Sequence, residues 1–242
     1  MGEVIRMRFS KGDAVRYISH LDLQRIFGRA LKRAKIPIAY SQGFNPHPKL
    51  SFGSALSVGT TSDSEYIDVD LAEPLEADAF ISRMNQILPI GLRIEAAKTY
   101  VTGEEGKKLP TLMSVMNGAE YRISLHRVSD PGGLAVDVAE ALRNIFEVPE
   151  WKVTRTNGKK QREVDIKPYV YRIEAQVTDT EAGDSAVILT AVVQTGSEAN
   201  VRPTELVEIL QTYGGISDIS CMIHRSNLGI YDDGVIVEPF PE

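Results

Sequence analysis

A single cysteine, Cys221, is all the thiol this 242-residue chain has. That excludes a disulfide within the chain and any zinc or iron–sulfur site built on cysteine, since each needs several thiolates. Cys221 lies in the apolar run 219–223 and reads as a buried small hydrophobe. A chain with no disulfide framework is expected in the cytoplasm. No apolar run approaches the roughly 18 residues of a membrane span. The opening MGEVIRMRFSKGD has polar residues where a signal peptide needs an apolar core. Met1-Gly2 is not followed by the Ser or Thr that myristoylation prefers. No membrane partner is expected. Phosphate-cradling loops of the GxxxxGK[ST] or GxGxxG kind are absent, as is a GxSxG nucleophile elbow. The four histidines show no HxxxH or HxH spacing. The expectation is therefore no cofactor and no metal.

Acid is scarce in one place only. Residues 1–50 carry ten Lys and Arg against three Asp and Glu, a net of +7, while the remainder carries −13 within an overall charge of −6. A basic first fifth on an acidic body suggests a localised surface that faces anions.

The chain reads as alternating strands and helices. A strand at 4–9 places Arg6 and Arg8 on one face, and residues 14–18 continue it or form its hairpin partner. Ser19 with Asp22 three residues on marks a helix start. Leu23, Ile26, Phe27, Ala30, Leu31 and Ala34 then form one apolar stripe, and Pro37 ends the helix. Gly43, Pro46 and Pro48 make 41–48 a loop. Strands follow at 50–56 and 65–71, the second with Tyr66, Asp68 and Asp70 on an expected wet face. A helix over 77–88 and a strand over 92–100 complete a β-α-β-β-α-β order, which is the ferredoxin-like arrangement.

Residues 103–118 read as a linker, with 112–116 apolar enough to dock. The second half repeats the order: a strand at 120–128, then a helix at 134–146 with Val138, Ala139, Leu142, Ile145 and Phe146 inward. A hairpin follows around Asn157-Gly158, then one around residues 181–184, a helix at 203–210 and a strand at 216–224. The predicted fold is α+β, two tandem ferredoxin-like domains at 1–102 and 119–242, the second with an inserted hairpin.

The chemistry concentrates in residues 16–52. Arg25, Arg29, Lys32 and Arg33 recur at i, i+4, i+7 and i+8 on the helix face opposite the apolar stripe, and no acid follows Asp22 before the helix ends. Such a face meets several phosphates at once. The loop adds Tyr40, Phe44, Asn45, His47 and Lys49, aromatics interleaved with polar and cationic groups, as base-stacking surfaces have. Arg16 precedes the helix. His20, at its first turn, is held neutral by the positive helix end, and His20 and His47 are the candidate catalytic groups. The alternative for these same residues is a solvated helix face, a self-packed loop and a capping histidine. The tip NGKKQR, with Trp151 and Arg155 nearby, is a possible second contact.

The run RYISHLDLQRIFGRALKRAKIPIAYSQGFNPHPKLSFGSALSVGTTSDSEYIDVDL resembles the bacterial radical-SAM-linked family, with weaker likeness through DIKPYVYRI and IHRSNLGIY. The resemblance implies a companion of radical-SAM proteins bearing a cobalamin-type domain, fused to them or encoded beside them. The gene neighbours of that family, ribosomal proteins and a ribonuclease of the E/G kind among them, make an RNA setting part of what the resemblance implies. This chain has no CxxxCxxC cluster ligands, so the radical chemistry falls to a partner. At the level of fold alone the tandem order also resembles the RAMP endoribonucleases that process CRISPR repeats. Three readings follow. The first is a non-catalytic RNA-binding or substrate-presenting partner of a radical-SAM enzyme, with RNA rather than DNA expected. The second is a metal-independent endoribonuclease using His20 or His47. The third is a protein–protein adaptor without RNA.

Overall fold

The computed structural model describes residues 2–102, 109–127, 133–158, 160–179 and 185–241. The turn expected around 181–184, the first part of the expected linker (103–108) and Lys159 of the hairpin tip lie outside them. The architecture is mixed α+β, with antiparallel strand pairing and few helices. No helix among the described residues is long and apolar enough to cross a membrane.

Two compact units divide the chain. The first holds the residues up to Asn117 together with those from Arg225 onward, and the second holds Gly118–His224. The segment from Arg225, assigned to the second domain on sequence, thus counts with the first.

In the first unit, β1 (Gly2–Lys11) lies between β4 (Leu92–Thr102) and β3 (Thr61–Leu71), and the short β2 (Leu50–Phe52) pairs β3. Alternation along each strand sends Ile5, Met7 and Phe9 of β1 and Ile67, Val69 and Leu71 of β3 to one face. There they meet Leu23, Phe27 and Leu31 of α1 (His20–Arg33) and Phe80 and Met84 of α2 (Ala77–Asn85). Each such side chain, fully buried, contributes about 1.5–3 kcal/mol. Ser19 caps α1: its hydroxyl accepts from Asp22 N at 3.2 Å and donates to Asp22 Oδ2 at 2.7 Å. The helix exits through Lys35 in the left-handed region (φ 53°), ahead of Pro37.

Some local expectations fail. Residues 14–18 form no strand. A 3₁₀ turn at Asp13–Val15 takes their place and buries Val15. β2 stops at Phe52, short of the expected 56. Beside its end, the backbone at Gly53 lies so close to Met116 that an added Cβ would touch the Met116 sulfur. Met116 follows α3 (Leu112–Val115), whose Leu112 is also buried, so this part of the expected linker docks on the first unit.

The second unit contains β5 (Gly118–His126), α4 (Leu134–Glu147), the ribbon β6 (Lys152–Asn157) and β7 (Lys160–Asp165), then β8 (Val170–Asp179), β9 (Ser185–Gln194) and α5 (Pro203–Thr212). Its sheet runs β5-β9-β8, and β10 (Ser220–Asp232) begins beside β5. The hairpin at Asn157-Gly158 is present as expected. On α4, Val138 and Ile145 are buried, but Phe146 is 54% exposed and Ala139 is exposed. Ala141 is the small buried residue instead. Cys221 is exposed, contrary to expectation: Ile223 is the buried member of its run. β10 continues into the first unit and turns back as β11 (Val235–Val237).

Candidate nucleic-acid interface

The cap at Ser19 and the apolar stripe fix the rotation of α1, so the opposite face must carry its cations to solvent. The loop after the helix is then pinned to the sheet at both ends. Ala39 N donates to Asp70 O and Asp70 N to Lys49 O, while Lys49 N donates to Ala39 O. Inside that frame Tyr40 pairs Pro48, and Ser41 N donates to His47 O at 2.9 Å while His47 N donates to Ser41 Oγ at 3.0 Å. The turn is thereby closed, and His47 and Pro48 are held against α1.

Between helix and loop lies a groove of about 430 Å³, lined by Arg25, Arg29 and Lys32 from α1 and His47 and Pro48 from the loop. Gly28 forms its floor: a Cβ there would come no nearer than 3.9 Å to Pro48 Cγ. None of the described residues lining the groove is acidic. Tyr40 stands at its rim, with Lys32 Nζ 5.7 Å from the ring centroid. Five of the residues singled out from sequence (Arg25, Arg29, Lys32, Tyr40 and His47) are therefore together.

The others are not. Arg33 turns to a second groove, of about 200 Å³, shared with Arg29 and floored by Ile26, Ala30, Ile87 and Pro89. Arg16 donates twice to Gly59 O, at 3.2 and 3.0 Å, and lies 3.3 Å from Asp13, so it holds a turn. Lys49 faces Asp70 at 3.8 Å. Asn45 is exposed in the loop, and Phe44 is fully exposed, packing under nothing. Arg25 is not free of acid either: it pairs Asp22 at 2.8 Å, an i,i+3 contact. The Ser19 hydroxyl and then Arg25 hold the Asp22 carboxyl below its ordinary range.

His20 packs edge-on against Phe52 at 5.0 Å and bonds Gln24 at 3.1 Å. Burial pushes its pKa down, favouring the neutral ring. In the second unit Trp151 is buried and donates to Ile145 O at 2.7 Å, and Arg155 is bound by both carboxylate oxygens of Glu205 at 2.8 Å. Both are structural, which removes them from the expected second contact. Among the described residues no three His, Cys, Asp or Glu side chains converge as a metal site.

Sequence reasoning missed two polar clusters. Glu65, on β3, is fully buried with Arg225 Nη1 3.2 Å from Oε1. Beside it the Lys11 ammonium donates to Arg16 O at 2.8 Å and Thr60 O at 3.0 Å. Burial raises the Glu65 pKa against the pull of Arg225 and lowers that of Lys11 against the pull of Glu65. The second cluster is on the sheet face away from the helices: Arg6, Arg8, Tyr66, Asp68, Lys98 and Tyr100. Its signals in the sequence are the shared face of Arg6 and Arg8 and the alternation of Tyr66 and Asp68 with core residues, neither of which shows that the two faces meet.

Over residues 4–203 the chain matches a family model described as "Uncharacterized protein conserved in bacteria (DUF2344)". No curated protein matches it. Solved structures similar to it include a Cbf5-Nop10-Gar1 complex, at 16% identity and a TM-score of 0.44, covering 98% of this chain and 52% of that one. The archaeal box H/ACA sRNP Nop10-Cbf5 complex is similar at 14% identity and a TM-score of 0.40, covering 98% and 51%. An unknown protein from Galdieria sulphuraria follows at 11% and 0.24, covering 93% and 99%. The chain spans about half the length of the first two.

Proposed function

We propose that this chain, which belongs to the bacterial family described as Uncharacterized protein conserved in bacteria (DUF2344), is a non-catalytic RNA-binding subunit that presents its substrate to a radical-SAM partner. The observation that carries the RNA reading is the groove of α1. Arg25, Arg29 and Lys32 converge there with His47, and among the described lining residues none is acidic, Asp22 reaching only Arg25 from outside the groove. Phosphates bound there release counterions, and the exposed Phe44 with Tyr40 at the rim offers rings to an unstacked base. The radical-SAM partner rests on the sequence resemblance of residues 16–71. A chain with one cysteine cannot hold the cluster itself.

The same reading takes both units as ferredoxin-like. Supporting it are the strand orders β4-β1-β3-β2 in the first and β10-β5-β9-β8 in the second, each with two helices in a β-α-β-β-α-β sequence once the β6–β7 ribbon is set aside.

The test is the affinity for a 12-nucleotide single-stranded RNA, by anisotropy, as salt is raised. Wild type should bind with a log–log salt slope near −2, since about three phosphates each contribute roughly −0.7. The pair Arg29→Glu and Lys32→Glu should weaken binding at least about tenfold and flatten the slope. A wild type that binds no RNA near physiological salt ends the proposal. Cleavage of that RNA in EDTA, lost in His47→Ala, would move the reading to the endoribonuclease. Co-purification of a partner without RNA would favour the adaptor.

A further inference from the structure

Tyr66 and Asp68 alternate with core residues and were expected to face water, yet they are 1% and 8% exposed. What covers them is a short length of the chain's own backbone, residues 238–241, reading Glu-Pro-Phe-Pro. Arg6 Nη1 donates to Pro239 O at 2.7 Å. Lys98 Nζ and Tyr100 OH both donate to Pro241 O, at 2.8 and 3.0 Å. Arg8 Nη1 lies 2.8 Å from Glu238 Oε1. The Phe240 ring meets Tyr66 edge-on at 5.8 Å. Arg6 is itself 1% exposed and is locked by both oxygens of Asp68, at 2.8 and 2.9 Å, so its aim at the Pro239 carbonyl is preset.

We propose that this sheet face is a peptide-binding site, held closed in cis by residues 238–241. In trans it takes an extended partner segment with an acidic residue followed by Pro-aromatic-Pro. Three observations favour a peptide. The donors Arg6, Lys98 and Tyr100 are spent on main-chain carbonyls, which any extended segment offers. The two prolines bring no N–H that the face would leave unpaired. The ring of Tyr66 receives an aromatic edge. The face suits a polyanion poorly. Asp68 neutralises Arg6 within it, which leaves Arg8 and Lys98 as its further cations among the described residues.

The segment is anchored at one buried residue, Pro239, and is open on either side of it. Glu238 and Pro241 are exposed and Phe240 is half-buried, and its polar contacts are with side chains. Tethered to β11, it competes as a ligand at an effective concentration on the order of millimolar. With an intrinsic dissociation constant for the strap on the order of 100 μM, a partner peptide of any affinity would be weakened about tenfold by the closed strap.

The experiment titrates the full chain into a fluorescein-labelled hexapeptide, Ile-Val-Glu-Pro-Phe-Pro, with anisotropy as the readout. The double variant Glu238→Lys, Phe240→Ala puts a cation against Arg8 and removes the ring. It should bind the peptide saturably and about ten times more tightly than wild type does. Adding Arg8→Glu or Tyr66→Ala should abolish that binding, while Arg29→Glu in the groove should leave it unchanged. Failure of RNA binding at the groove and failure here are thus distinguishable. Equal binding to wild type and double variant, or none to either, overturns the proposal. So does a 12-nucleotide RNA that gains affinity where the peptide does not. If the double variant melts early, the single Phe240→Ala takes its place. If that too is unfolded, the segment is core and the proposal falls.

Discussion

Arg6 joins three parts of the first unit through one guanidinium: two bonds to Asp68, one to Pro239 O and one to Pro110 O at 2.7 Å. A buried cation is costly unless its partners are in place, and removing it leaves the Asp68 carboxylate buried without its counter-ion. Arg6→Ala should cost about 3–5 kcal/mol in urea unfolding near neutral pH. The cost should depend on pH, with a sign fixed by Asp68. Burial raises the Asp68 pKa above the ordinary carboxyl range, and Arg6 opposes the rise. A carboxyl whose folded pKa is raised binds more protons folded than unfolded, so stability falls as pH climbs from the unfolded toward the folded pKa. Losing Arg6 widens that window upward. The deficit of the variant should be smallest near pH 4 and grow toward pH 7. A deficit that does not change with pH would mean the lost bonds to Pro239 and Pro110 dominate.

At the scale of the element, α1 is the case where sequence and structure agree most closely. The 3–4 spacing of Leu23, Phe27, Ala30 and Leu31, the Ser19 cap and the stop before Pro37 are all local signals, and all are present. Gly28 is the exception inside it, a glycine in mid-helix where alanine would be favoured by about 1 kcal/mol. An added Cβ would touch only Pro48 Cγ, at 3.9 Å. Gly28→Ala should therefore stabilise the protein by about 0.5–1 kcal/mol in chemical denaturation, and a destabilised variant would show that the loop at Pro48 cannot yield. The groove itself was half legible. Arg25, Arg29, Lys32 and His47 were named from their spacing, but the sequence could not separate them from Arg16, Arg33 and Lys49. Those turn instead to Gly59 O, to the second groove and to Asp70. Spacing reports which face of a helix a cation occupies. It says nothing of an acceptor forty residues away. Phe146 and Cys221 failed for a related reason, since a run of apolar letters does not say which member a neighbouring element covers.

Across the whole molecule, the feature hardest to read was the return of the chain. β10 leaves the second unit and supplies Arg225 to Glu65 and residues 238–241 to the sheet face of the first, contacts spanning 160 and 233 positions. No periodicity encodes such pairings. Their trace is the burial of charges that local reading leaves exposed, Glu65 and Asp68 among them. The consequence is that residues 1–117 do not make a self-sufficient domain, although they hold β1 to β4 and α1 to α3. Without residues 225–242, Glu65 loses the guanidinium that offsets its burial, Arg6 loses an acceptor, and Tyr66 loses its cover. Leaving a buried charge unpaired costs about 3–5 kcal/mol, a large part of the 5–15 kcal/mol typical of a whole domain. The fragment 1–117 should therefore melt without a cooperative transition in circular dichroism. Adding a peptide of residues 225–242 should restore cooperativity in proportion to its concentration, by mass action. The same peptide with Arg225→Ala should restore much less, because Glu65 would stay buried and unpaired. A fragment that melts cooperatively alone, at the temperature of the full chain, would show that the first unit closes its core without the returning strand.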